Sequence, residues 1–191
     1  MLDRAMRELL DTFAAEGRSP GGGPLAALVT AAAAALLEKI ARASAGSWPQ
    51  AGGIAAQAGS LRERALPLAG SSAERYEAAL LAKADSSGDP GERRDFALGR
   101  AFARAAEPPL QVARTAADVA QLSVVVASDA DPGFQADAVV AGLVAAAAAA
   151  AAAELVAVNL TASARDERVL EARRLAEDAA RAAEEARAAR G

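Results

Sequence analysis

Apolar residues recur along most of the chain at the spacing of an α-helix. The first stretch consists of Leu2, Met6, Leu9, Leu10 and Phe13, and Gly17 follows it as a stop signal. Clusters of glycine, proline, serine or aspartate separate five further stretches, which predict helices over about 25–45, 54–85, 92–128, 135–159 and 165–190. No alternating pattern predicts a strand. The pattern therefore predicts an all-α protein, an antiparallel bundle of six long helical segments.

Two of the predicted segments contain prolines that should bend them. Pro67 lies within the third segment, and Pro108 and Pro109 lie within the fourth. Proline removes a backbone donor and clashes with the preceding turn, so it kinks or interrupts a helix. We predict an interruption near Pro67 and a bend at Pro108. The length of 191 residues is typical of one domain, and we predict a single domain over 1–191.

The apolar residues are mostly alanine, which changes how the core must be built. The chain is 53% hydrophobic but only 3% aromatic, so helix backbones must approach closely instead of being held apart by large side chains. Two runs without charge, 21–37 and 138–153, are shorter than the roughly 20 strongly apolar residues of a membrane span. We interpret them as innermost helices that touch protein on every side.

The last predicted helix has a different composition. Arginine and glutamate faces flank a shallow apolar stripe formed by Val169, Ala172, Ala176, Ala179, Ala183 and Ala186. Such a helix can be a solvated arm, a coiled-coil partner or the outer layer of a bundle. We favour the outer layer.

The residue types that are absent narrow the possible chemistry. The chain has no cysteine and no histidine, which excludes disulfides, thiol catalysis and histidine-based metal sites. We predict no metal site.

The net charge is only −4 with both signs interleaved, so we expect no nucleic-acid partner and no membrane partner. The first ten residues lack the apolar core of a signal peptide, and a cytoplasmic location is the default expectation.

Three consecutive glycines precede the first uncharged helix. The turn Pro20-Gly21-Gly22-Gly23-Pro24 exposes backbone N–H groups beside a helix N-terminus, an arrangement suited to holding a carboxylate or a developing negative charge. The alternative is a flexible hairpin whose glycines allow two helices to approach closely. Spacing alone leaves both interpretations open.

A second candidate site precedes the most apolar helix. The turn that contains Asp131 and Pro132 leads to Asp137 in the first turn of that helix, where free backbone donors and the helix dipole stabilise a carboxylate. Helix capping alone would explain this acid. The functional alternative is that Asp137 orients a water molecule or binds a cationic group, as general-base chemistry requires.

Four blocks of sequence resemble one known family. They are the Ser-Pro-Gly-Gly-Gly turn with the small-residue helix that follows it, a proline-kinked Pro-Leu segment, an Asp-Pro turn leading to an aspartate, and an Asn-Leu pair that ends the same helix. They lie at 19–46, 107–113, 131–141 and 158–160. In this order and spacing they resemble the cyclodeaminase/cyclohydrolase family of folate one-carbon enzymes.

The resemblance implies an all-helical homodimer with folate bound between long helices at the dimer-facing surface. It implies a folate-type small molecule as partner, a tetrahydrofolate derivative as substrate with no tightly bound cofactor, and hydrolysis of a methenyl- or formimino-tetrahydrofolate. Under this interpretation Asp137 is the catalytic residue, which orients water or the cationic centre. The backbone of Gly21, Gly22 and Gly23, together with Asp131, binds substrate, and the Tyr76 ring stacks on it.

The chain departs from the family pattern at three motif positions. Pro24 replaces the serine after the three glycines, and Ala136 replaces the serine before the motif aspartate. Ser72 stands where the family has the acid of its Asp-x-x-x-Tyr element, so a carboxylate has been lost while Tyr76 remains. A second hypothesis is therefore a catalytically degenerate relative that binds a folate-like ligand or serves as a dimeric scaffold.

Overall fold

The computed structural model describes residues 2–17, 21–85, 91–160 and 166–189, which fold into helices and connecting turns without a strand. The predicted all-α architecture is confirmed. A short 3-10 turn, Pro132–Phe134, precedes α6. The helices are α1 (Leu2–Ala14), α2 (Gly22–Ala43), α3 (Ala51–Asp85), α4 (Glu92–Ala105), α5 (Glu107–Asp129), α6 (Gln135–Asn159) and α7 (Glu167–Ala189).

Helices α2, α5 and α6 form the centre of the bundle, with α3 packed on α2 and α5, and α7 packed on α5 and α6. The contacts are close because the facing residues are small. A Cβ atom on Gly142 of α6 would lie 2.3 Å from the Ser123 hydroxyl of α5. Leu155, near the end of α6, lies against Gly22 at the start of α2, so these two helices run antiparallel.

The predicted interruption near Pro67 is wrong. Helix α3 continues through this proline from Ala51 to Asp85. Pro67 lies on the exposed face of the helix, and a solvent-facing position tolerates the lost backbone hydrogen bond better than a buried one.

The predicted fourth segment is divided in two. Helix α4 ends at Ala105 and α5 begins at Glu107, with Ala106 as the only residue between them. The division immediately precedes Pro108 and Pro109, which occupy the first turn of α5, where a missing N–H costs little.

The description of the two uncharged helices as buried on every side is wrong for α6 within one chain. Its outer face is exposed and almost entirely apolar: Ala136, Val140, Leu143, Ala147, Ala150, Ala151, Glu154 and Val158. By length and composition alone, Gly22–Ala43 and Pro132–Asn159 could cross a membrane, with 61% and 50% of their most apolar windows buried inside the protein. The exposed half of α6 is an apolar surface without a described partner.

Helix α7 forms an outer layer of the bundle, as predicted. Its stripe is buried at Val169, Ala172, Ala179, Ala183 and Ala186, and also at Ala182, whereas Ala176 is half-buried. Arg114 of α5 donates two hydrogen bonds to the Glu171 carboxylate of α7, at 2.7 and 2.9 Å. This pairing lowers the pKa of Glu171.

Helix α1 is amphipathic, as its spacing predicted, but its apolar side is not packed into the bundle. Met6 and Leu10 are more than half exposed, and Leu9 is 38% exposed. Together with the outer face of α6, α1 therefore leaves substantial apolar surface open to solvent in a single chain.

Candidate functional site

A pocket of about 200 Å³ opens where α2 begins and α6 ends. Helices α3, α4 and α5 supply the rest of its wall. We call it the glycine-end pocket. It is lined by Gly21, Gly22, Gly23, Pro24, Ser72, Ala73, Tyr76, Ala105, Pro109, Leu155, Val158 and Asn159.

One wall of the pocket is a very close contact between α2 and α3. A Cβ atom on Gly23 would lie 2.0 Å from the Ser72 hydroxyl oxygen, so no larger residue fits at position 23 without displacing Ser72. Gly22 has more room, because its Cβ would meet only the Leu155 side chain, at 3.8 Å. Both sequence interpretations of the glycine turn therefore have support, since the glycines allow close helix packing and also line a pocket.

Several polar groups face the pocket without a partner among the described residues. Gly21 caps α2 without a side-chain hydrogen bond, and the first turn of α2 contains no acid. Ser72 is only 5% exposed, and its hydroxyl takes part in no hydrogen bond among the described residues. The Asn159 amide nitrogen donates to the carbonyl of Ala105 at 3.3 Å, which leaves the amide oxygen as a free acceptor. Unsatisfied groups of this kind are what a bound molecule can pair with.

Among the described residues, the pocket lining carries no charged side chain. Charges surround it in pairs: Arg75 of α3 contacts Glu107 of α5 at 2.6 Å, and Arg168 of α7 contacts Asp166 at 2.7 Å. The hydrogen bonds from Arg168 lower the pKa of Asp166. The start of α2 and the end of α6 add partial charges of opposite sign to the pocket.

Asp131 and Asp137 lie at the other end of α6, which we call the aspartate end. The Asp131 carboxylate accepts a hydrogen bond from the backbone N–H of Gly133 at 3.0 Å and so caps the 3-10 turn. Its own N–H donates to the hydroxyl of Ser44 at 3.1 Å. Asp137 is half-buried in the first turn of α6. Leu155 lies eighteen positions further along the helix, which corresponds to about 27 Å along the axis.

The structure thus brings Gly21, Gly22, Gly23 and Tyr76 together, and it places Asp131 and Asp137 elsewhere in the same chain. Sequence reasoning did not assign Ser72 or Asn159 to the site. For Asn159 a signal was present, because it belongs to the Asn-Leu block that carries the family resemblance. The described residues contain no group of three or more acidic side chains that could hold a metal ion.

Residues 5–182 match the sequence profile of the formiminotransferase-cyclodeaminase family. The chain belongs to this family. Its membership confirms the resemblance stated above and points to folate-related chemistry of the cyclodeaminase or cyclohydrolase type. No curated protein is significantly similar to the chain.

The fold is also similar to the crystal structure of formiminotetrahydrofolate cyclodeaminase from Thermotoga maritima. The TM-score is 0.83, and the match covers 96% of this chain and 93% of that chain. The two sequences are 21% identical, so this similarity establishes the fold of the present family member and leaves its activity to be tested.

Proposed function

We propose that this member of the formiminotransferase-cyclodeaminase family is a folate one-carbon enzyme that hydrolyses a methenyl- or formimino-tetrahydrofolate. The observation that carries the proposal is the glycine-end pocket. Three motif elements that lie far apart in the sequence, the glycine triplet, the Ser72–Tyr76 element and Asn159, line this one pocket. Their convergence supports a ligand site built from the family motifs.

Opening a methenyl bridge requires a positioned water molecule. The oxygen of the water bonds to the electron-poor carbon, a base accepts a proton from the water, and one of the two carbon–nitrogen bonds breaks to leave a formyl group. Cyclodeamination instead forms this bridge: the N10 amine of the folate bonds to the formimino carbon and gives up its proton, and the bond from that carbon to the departing nitrogen breaks to release ammonia. Both reactions require a proton acceptor and stabilisation of a cationic centre. The described lining residues of the glycine-end pocket include no carboxylate.

Asp137 remains our candidate for the proton acceptor, but at about 27 Å along α6 it cannot reach the pocket of its own chain. A homodimer resolves the difficulty. If two α6 helices pair antiparallel across their exposed apolar faces, the aspartate end of one chain lies beside the glycine end of the other. We propose this homodimer, in which Asp137 of the partner subunit completes the site.

The exposed apolar surface supports this assembly. Val140 and Leu143 on α6 are 49% and 41% exposed, and Leu25 near the start of α2 is 50% exposed. A contiguous apolar face of this kind is typical of a protein–protein contact. A monomeric mass in light scattering at micromolar concentration, unchanged by dilution, would contradict the dimer.

Turnover is tested by mixing the purified protein with 5,10-methenyltetrahydrofolate and following the loss of its absorbance. Release of ammonia from 5-formiminotetrahydrofolate tests the other reaction. We expect a rate above the uncatalysed rate that is proportional to protein concentration for one of the two compounds. The uncatalysed rate with both compounds would contradict the enzymatic proposal.

The loss of the family acid at Ser72 favours one alternative, a degenerate relative without catalysis. This alternative predicts that a folate binds and is not consumed. A protein that binds no folate at all would instead be a dimeric scaffold. Binding and turnover measured on the same preparation separate the three outcomes.

A further inference from the structure

The glycine-end pocket is electrically polarised although none of its described lining residues is charged. Helix α2 begins in its wall, and its N-terminus has no side-chain cap among the described residues and no acid in the first turn. Helix α6 ends in its wall at Val158 and Asn159, with no basic residue in the last turn. The start of a helix carries a partial positive charge and its end a partial negative charge. A ligand in the pocket therefore meets donors on the α2 side and acceptors on the α6 side.

Ser72 strengthens the donor side. Its hydroxyl lies directly against Gly23 of the first turn of α2, and the residue is 95% buried with no hydrogen-bond partner among the described residues. A hydroxyl that lines a pocket without a partner among the described residues is available to pair with a bound molecule. A carboxylate at this position, as in the family pattern, would instead place a negative charge here and reject an anion.

Asn159 strengthens the acceptor side. Because its amide nitrogen donates to the Ala105 carbonyl, its oxygen is the atom left to accept a hydrogen bond from a ligand. Asn159 lines the glycine-end pocket and also an adjoining groove that contains Arg168 and Asp166. Between the donor and acceptor sides, the walls formed by Tyr76, Pro109 and Leu155 suit a flat aromatic body.

We infer that the glycine-end pocket binds an aromatic ring with an anionic or carbonyl oxygen at one end and an N–H donor at the other, as in an aminobenzoate group. The oxygen pairs with the Ser72 hydroxyl and the free N–H groups of α2, and the N–H donor pairs with the Asn159 oxygen. For the physiological ligand the inference rests on the proposed function, and it places the aminobenzoyl part of a folate here. The replacement of the family acid by Ser72 then makes the pocket selective for anions.

Two probes of matched shape test this inference, 4-aminobenzoate and 4-aminobenzamidine. They share the ring and the amino group and carry opposite charges at the other end. By isothermal titration of the full chain we expect 4-aminobenzoate to bind at least about ten times more tightly than 4-aminobenzamidine. Equal affinities, a preference for the cation, or no binding of either probe would overturn the inference.

Ser72→Asp restores the family acid and should reverse the preference. Ser60→Asp is the matched control, because it adds the same charge to an exposed position of the same helix outside the pocket. It should leave the preference of the parent intact. The same reversal in Ser60→Asp would show that net charge, and not the pocket, selects the ligand, and would overturn the inference.

If Ser72→Asp does not fold, as judged by circular dichroism, Ser72→Ala tests the inference in its place. It removes only the hydroxyl and should weaken 4-aminobenzoate about tenfold while the affinity for 4-aminobenzamidine stays within about twofold. Unchanged affinity for 4-aminobenzoate would overturn the role of Ser72.

Anion preference without turnover of either folate would contradict the enzymatic proposal alone, and turnover without anion preference would contradict this inference alone.

Discussion

The two ends of α6 differ in how their polar groups are satisfied. At the aspartate end, the Asp131 carboxylate caps a 3-10 turn and its backbone N–H donates to Ser44. At the glycine end, the Ser72 hydroxyl, the first N–H groups of α2 and the Asn159 oxygen have no described partner. The polar groups around Asp131 thus pair with other protein groups, whereas those at the glycine end are available to a ligand.

At the aspartate end, Asp137 lies half-buried in the first turn of α6 and is the proton acceptor of the proposed function. If folate turnover is present, we expect Asp137→Asn to reduce it by about 10²-fold or more, the scale of a lost acid–base group. Asparagine keeps an oxygen for capping, so the free energy of unfolding should change by about 1 kcal/mol or less. A variant that turns over folate as fast as the parent would show that Asp137 is a helix cap.

Mixed dimers test whether the aspartate end of one chain meets the glycine end of the other across the dimer interface. Asp137→Asn is combined with Gly22→Phe, a variant in which a large side chain fills the glycine-end pocket. Half of randomly mixed dimers are hybrids with one intact site, so the mixture should recover about a quarter of the activity of the parent. Each variant alone provides the baseline, and a mixture no more active than the two baselines would argue against a shared site.

Variants of two buried glycines distinguish the effect of close helix packing from the effect of ligand binding. A Cβ atom would meet the Ser72 hydroxyl at position 23 and the Ser123 hydroxyl at position 142. We expect Gly23→Ala and Gly142→Ala each to destabilise the protein by about 1–3 kcal/mol through overpacking, measured by urea denaturation. Only Gly23→Ala should also weaken the binding of 4-aminobenzoate. Equal loss of binding in both variants would mean that stability, and not pocket geometry, governs affinity.

The ion pair between α5 and α7 predicts a smaller effect on stability, and this effect depends on pH. Arg114 lowers the pKa of Glu171 below its ordinary value of 4.5. The ion pair therefore stabilises the folded state above that value, and the stabilisation is lost as the pH falls through the lowered pKa. Because the pair is about one-third exposed, we expect Glu171→Gln to cost about 1 kcal/mol or less at pH 7. The difference from the parent in thermal denaturation should shrink towards pH 3, and a difference that grows on acidification would contradict the assignment.

The sequence predicted the helices well because their apolar spacing is a local property. The bounds predicted for α6 match Gln135–Asn159, and α7 is the outer layer expected from its stripe. The interruption predicted near Pro67 was wrong because the effect of a proline depends on which side of α3 faces solvent. The exposed half of α6 was missed because an alanine-rich helix has no polar face from which its outer side could be predicted.

The candidate site was harder to predict because it depends on which helix ends meet. The glycine triplet and Tyr76 were identified from motifs, and the structure brings them together. Ser72 was noted as a lost acid, yet no local pattern showed that its hydroxyl would lie against Gly23. Asp137 was grouped with the glycines although the length of α6 separates them within one chain.

The central claim is that a folate-type ligand occupies the glycine-end pocket. The most direct measurement is isothermal titration with 5-formyltetrahydrofolate of the parent, Gly22→Phe and Gly52→Phe. Gly52 is an exposed glycine at the start of α3 with no neighbour within 4 Å of an added Cβ, so it controls for a bulky residue near a helix start. We predict that the parent and Gly52→Phe bind equally and that Gly22→Phe binds at least about tenfold more weakly. Equal binding by all three proteins would contradict the account, because the folate would then occupy another surface.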